Sequence, residues 1–191
     1  MTDPPARKVL NSPTFLLAAG LPGETLLGGR YASNSTLVQG QPNEWEIFGR
    51  FAPLRMKDGR PFDVGVQASY SGTAESMDGE LLLARRFGPL RILGGARAFS
   101  SFAGEGEEAA LMGGTSLRLH RHVALAADVA KLLTTNTVDA AWSEGLQLEI
   151  PSTPHSLSIQ VSNDNTTTLQ GSVLGTGVTR DTVSSSPSRC A

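Results

Sequence analysis

The feature that most constrains this chain is a two-residue hydrophobic period that runs through nearly all of it. In Phe62-Asp-Val-Gly-Val-Gln-Ala-Ser-Tyr70 the even positions are apolar or aromatic, and the odd ones are Asp, Gly, Gln and Ser. Successive side chains of an extended strand point to opposite faces, so this split describes a strand with one apolar and one polar face. Trp142–Ile150 and His155–Ser162 repeat it, with Glu144 breaking the apolar parity of the former. Weaker versions cover Thr14–Ala19, Thr25–Ala32, Glu44–Leu54, Met77–Arg86, Leu90–Ser101, Ala109–Leu119 and Val123–Leu133. The reading is all-β, with about ten strands. Val123–Leu133 is rich in Ala and Leu and could form an amphipathic helix by propensity, but its neighbours alternate and turn at hairpin spacing, which favours a strand.

The connections are read as alternating in length. Short ones are Gly20–Glu24, Lys57–Pro61, Phe87–Pro89, His120-Arg121 and Pro151–Pro154; longer ones are Ser33–Asn43, Ser71–Ser76, Phe102–Glu108, Thr134–Asp139 and everything after Ser162. Tight turns at one end and longer loops at the other describe an antiparallel up-and-down meander, as in outer-membrane barrels. Ten strands rarely stay open and flat, and closure removes exposed edges. Three glycine pairs, Gly28-Gly29, Gly94-Gly95 and Gly113-Gly114, interrupt strands at their centres, which suits a coiled sheet needing bends or close backbone approach. A sandwich with glycine bulges is the rival architecture.

Aromatics point to the same class. Tyr31, Trp45, Tyr70, Phe102 and Trp142 fall beside the longer loops, and Phe51, Phe62 and Phe87 toward the short turns, like the two girdles of a membrane barrel. The expected apolar face then includes Val64, Val66, Leu157, Ile159 and Val161. Candidate lumen-lining or ligand-binding residues are Arg30, Glu46, Arg50, Asp63, Gln67, Arg97, Asp128 and Gln160, with Glu80, Arg86, Arg91, Arg118 and Gln147 on the same parity and Ser158 beside Gln160. They line either a polar pore or cavity, or a lattice of ion pairs filling a narrow barrel, since buried charge is costly unless paired.

Composition excludes more than it assigns. The 191 residues carry a net charge of −2, which gives no basic footprint for nucleic acid. The one cysteine, Cys190, allows neither an internal disulfide nor a thiolate metal cage. No apolar run approaches the ~20 residues of a membrane helix, and MTDPPARKVLNSP lacks the features of a secretory signal. His120-x-His122 sits in a turn without a carboxylate or cysteine nearby in sequence, so no metal site is assigned. Neither a Gly-x-Ser-x-Gly elbow nor a phosphate loop is present, and Gly104-Glu-Gly-Glu-Glu108 lacks calcium-loop spacing. The expectation is a chain with no catalytic residues, metal or cofactor, and therefore not an enzyme.

At Arg30–Ser35, Pro42–Arg50 and Thr153–Gly171 the chain resembles an uncharacterised bacterial family of membrane-associated β-barrel proteins, a domain of unknown function. The likeness covers about residues 25–172. It implies a bacterial outer-membrane barrel in contact with the lipid bilayer when full length, with no established activity, cofactor or site residues. Family members begin with a signal peptide and further barrel sequence and close with a strand similar to Arg-Tyr-Gly-Phe-Glu-Phe-Thr-Val-Pro, whereas this chain ends in RDTVSSSPSRCA. A shifted reading frame of codons compatible with that tail spells such a strand.

The expected organisation is an incomplete or disordered segment at 1–13, a partial transmembrane-type barrel over 14–172 that lacks N-terminal and closing strands, and a disordered, out-of-frame tail at 173–191. The expected function is a structural, pore or ligand-binding barrel, with a small-molecule solute as a partner. The alternatives are a soluble β-barrel or sandwich binding a small apolar ligand and, third, a barrel-embedded hydrolase.

Overall fold

The computed structural model describes residues 13–38, 40–134, 139–149, 156–164 and 166–175. The expected turn at Pro151–Pro154, Ile150, His155 and the tail from 176 onward lie outside them.

Among the described residues ten strands form one antiparallel sheet in sequential order. They are β1 (Thr14–Leu21), β2 (Thr25–Val38), β3 (Gln41–Leu54), β4 (Asp63–Ser71), β5 (Ser76–Phe87), β6 (Leu90–Phe102), β7 (Gly106–His120), β8 (Val123–Leu132), β9 (Ala141–Glu149) and β10 (Ser156–Ser162). Every strand expected from the alternation is present, and the Ala- and Leu-rich segment is β8, paired on both sides.

The expected alternation of short and long connections is not found. The segment read as a long loop at Ser33–Asn43 is mostly strand, and β2 and β3 pair out to Val38 and Gln41. The eight-residue connection Arg55–Phe62, built around a 3-10 turn at Met56–Asp58, lies instead at the end expected to carry tight turns. At Ser33–Asn43 polarity misleads as a loop signal because the enclosed face is polar. Ser35 is buried and donates to the Glu44 carboxylate.

Glycine does what a coiled sheet requires. In each pair one member faces inward and is approached by the neighbouring strand. A Cβ on Gly95 would lie 2.6 Å from the Leu81 carbonyl oxygen, and one on Gly28 would lie 2.7 Å from that of Leu17 and 2.6 Å from the Phe48 ring. The outward members Gly29, Gly94 and Gly113 have nothing nearer than 3.5 Å. No backbone pairing joins β1 to β10 among the described residues. An even strand count leaves these edges antiparallel to one another, the relation that a closing ladder needs.

Candidate functional site: a polar lumen filled by its own chain

The two faces of the sheet are inverted relative to an ordinary soluble domain. Outward-facing Val66, Leu81, Ile92, Leu111 and Val129 are 44–53% exposed, whereas inward-facing Glu46, Gln67, Asp78 and Glu80 are 1–4% exposed. The carboxylates are buried because other polar groups surround them, as the desolvation cost of a charge demands.

The enclosing element is the chain after β10. Asn163 caps the upper end of β9, accepting from the Trp142 N–H at 2.6 Å through Oδ1 and donating from Nδ2 to the Ala140 carbonyl at 3.1 Å. The chain then dips into the lumen and returns, with Asp164 bridged to Gly175. Such a compact loop with adjoining ends is an Ω-type loop. Thr166 and Thr168 donate to Glu44 Oε2 at 2.8 and 2.5 Å, and the Leu169 N–H donates to Glu46 Oε2 at 2.8 Å. The Gln170 carboxamide donates to both Asp78 oxygens and to the Ser101 carbonyl, and accepts from the Ala103 N–H at 2.9 Å. Leu169 and Val173 pack on Phe99, Ala110, Ala130 and Leu132. One short loop thus touches side chains from β3, β5, β6, β7 and β8, which requires the sheet to curl around it.

The wall carries its own ion pairs. Arg97 Nε donates to Glu80 Oε2 at 2.7 Å, and its guanidinium also reaches the Leu169 carbonyl at 3.3 Å and Ser172 Oγ at 2.8 Å. Arg30 lies 3.4 Å from Glu46 and 4.5 Å over the Phe48 ring. Arg50 donates twice to Gln67 Oε1, at 3.1 and 2.9 Å, and sits 3.6 Å from Glu80. Asp128 accepts from Ser143. Below this level the inward row turns apolar at Leu82, Ala84 and Leu93, while Ala126 and Gln147 are exposed.

Of the residues expected to line a lumen, Arg30, Glu46, Arg50, Gln67 and Arg97 meet in one network. Asp128 faces the same space beside the loop's neck, hydrogen-bonded to Ser143 next to the Trp142 that Asn163 caps. Asp63 stands at the lower rim, where it accepts from the Met56 N–H at 2.8 Å and pairs with Arg91 at 3.3 Å. Gln160 is on the edge strand β10, whose two faces are both exposed. Glu44 and Asp78 are not among the expected lumen residues, although each continues the parity of Glu46 or Glu80. The lumenal loop had no periodic signal at all, and it runs to Gly175, past the boundary expected near Ser172.

The aromatic rim is present with one correction. Phe15, Tyr31 and Trp45 stand in one cross-strand row, Trp45 meets Tyr70 edge-on at 5.9 Å, and its indole lies where a Cβ on Gly72 would be. Phe51, Phe62 and Phe87 are exposed toward the other end. Phe102 does not join the rim. The register shift between Phe99 and Phe102 turns it against the buried cluster. His120 and His122 have ring centroids 6.0 Å apart, and among the described residues no group of three or more His, Cys, Asp or Glu side chains could hold a metal ion.

No family model, curated protein or solved structure matches this chain.

Proposed function

We propose that the chain is an outer-membrane-type β-barrel protein, lying with its apolar outer face against lipid and its polar lumen occupied by the Asn163–Gly175 loop. The observation that carries this reading is the inversion of faces, apolar side chains outward and buried charge inward, which water would disfavour and a bilayer favours. The resemblance over residues 25–172 supports the same class. Dimensions agree as well. Met77 and Phe87 are ten residues apart on β5, about 34 Å of strand at ~3.4 Å per residue. A tilt of roughly 40° reduces that to about 26 Å, against an apolar band of about 25 Å in membrane barrels. Arg85, between them on the outer face, has its guanidinium 5.4 and 5.0 Å from the Phe62 and Phe87 ring centroids, so its charge sits at the expected interface.

The test uses the two outward tryptophans, Trp45 and Trp142, which are 45% and 42% exposed. Refolded into vesicles of phospholipids brominated at defined acyl positions, both should be quenched most by lipids labelled near the headgroup. Gel mobility should also be heat-modifiable. Tryptophan emission unaffected by brominated lipid, with the protein remaining in the aqueous fraction, would replace this reading with the soluble barrel.

A further inference from the structure

We infer that the Asn163–Gly175 loop is a displaceable plug whose withdrawal opens a cation-selective path through the lumen; this rests on the barrel reading above. Three features of the loop make it removable. It enters and leaves by the same rim, since Asn163 is tied to β9 and Asp164 to Gly175, so this segment is not threaded to the far end. Its backbone forms no ladder with the wall: apart from the bridge at its neck, the backbone–backbone bonds of Thr166–Leu174 stay within the loop among the described residues. Its grip consists of hydrogen bonds that each involve a side chain, to Glu44, Glu46, Asp78, Arg97, the Ser101 carbonyl and the Ala103 N–H, with Leu169 and Val173 as apolar contacts. No strand has to move for it to leave.

The charge on the wall sets what would pass. Around the loop Glu44, Glu46, Asp78, Glu80 and Asp128 face the enclosed space against Arg30, Arg50 and Arg97, a local surplus of acid, while toward the lower rim Asp63 and Glu149 stand against Arg86, Arg91 and Arg118. The described partners of Glu44 and Asp78 are all neutral: Ser35, Thr166 and Thr168 for the former, Ser76 and Gln170 for the latter. Withdrawal strips the loop's donors from both and leaves carboxylates facing water. Among the described residues Glu80 Oε1, on a 4%-exposed residue, has no hydrogen-bond partner in the filled state, although Arg50 stands 3.6 Å from it. Rings of acidic side chains select cations in pores because they stand in for part of the ion's hydration. Toward the lower end the inward row is exposed at Ala126 and Gln147, so solvent enters there, and the loop closes the other end.

The experiment compares the full chain with a variant in which residues 166–174 are replaced by Asn-Gly, a turn that can join the bridged neck. Insertion is scored first, by heat-modifiable mobility. Current is then recorded across planar bilayers with a potassium chloride gradient. The expected result is a largely silent full chain and a steadily conducting variant whose reversal potential shifts toward the potassium equilibrium value. Glu46→Gln with Asp78→Asn in the shortened background should abolish that shift. Should the shortened chain fail to insert, T168V/Q170L in the full chain loosens the same grip and should raise the frequency of openings. Inserted variants that conduct no more than the full chain, or that prefer chloride, overturn the plug while sparing the barrel. Failure of every form to insert overturns both.

Discussion

Replacing Leu81 by arginine separates lipid from water on the outer face. Leu81 is outward on β5 and 46% exposed, four residues from Met77 and six from Phe87, so it lies about one residue from the middle of the apolar band. In water, Arg at a half-exposed outward position should change stability by no more than about 0.5 kcal/mol. At a bilayer midplane it should cost ~2–4 kcal/mol, roughly a 30- to 700-fold change in the folding equilibrium at about 1.4 kcal/mol per factor of ten. Leu119 supplies the control. It is 56% exposed and outward, but it lies at the β7–β8 turn, where the same substitution should cost only ~0–1 kcal/mol. The assay is reversible denaturant-induced unfolding from phospholipid vesicles, read by tryptophan emission and by heat-modifiable mobility. Equal costs for Leu81→Arg and Leu119→Arg would refute the depth argument and remove the lipid-facing assignment.

The glycine bends should be as directional as the geometry: Gly95→Ala meets the Leu81 carbonyl at 2.6 Å and should destabilise by ~1–3 kcal/mol, whereas Gly94→Ala, with its nearest neighbour at 3.9 Å, should be neutral in the same unfolding assay. The Glu80–Arg97 pair, only 2% and 10% exposed at its side chains, should show a coupling of about 1–3 kcal/mol in a double-mutant cycle of Glu80→Gln and Arg97→Gln; additive single effects would show that the pair does not act as a unit. Asp164, in the lumenal loop, has its carboxyl pushed up to about 7 by burial first and by Asp128 second, with Arg97 opposing. The folded state therefore holds this proton more tightly than the unfolded chain, which titrates near 3.8. Its contribution to stability is complete below that value and is lost as pH rises through about 7. Unfolding midpoints between pH 4 and pH 8 should show this decline, and Asp164→Asn should flatten it.

The strands, their approximate limits and the separation of apolar from polar faces were legible in the sequence, because alternation is a local property that each strand carries by itself. So was the bending role of the glycine pairs, which needs only the knowledge that a long sheet must coil. Three things were decided elsewhere. Ser35 belongs to a strand hairpin because a buried polar face, with the Glu44 carboxylate as its partner, makes hydroxyl-rich sequence strand-compatible. Phe102 turns inward because a register shift, set by how β6 pairs with β7, reverses its face. The occupancy of the lumen is the largest of them. Thr166 and Thr168 sit more than 120 residues from Glu44 and Gln170 sits 92 from Asp78, yet with no periodicity of their own they supply the hydrogen bonds without which those carboxylates could not be buried. A two-residue period records on which face a side chain stands, but which groups share an enclosed space depends on the path of the whole chain through it.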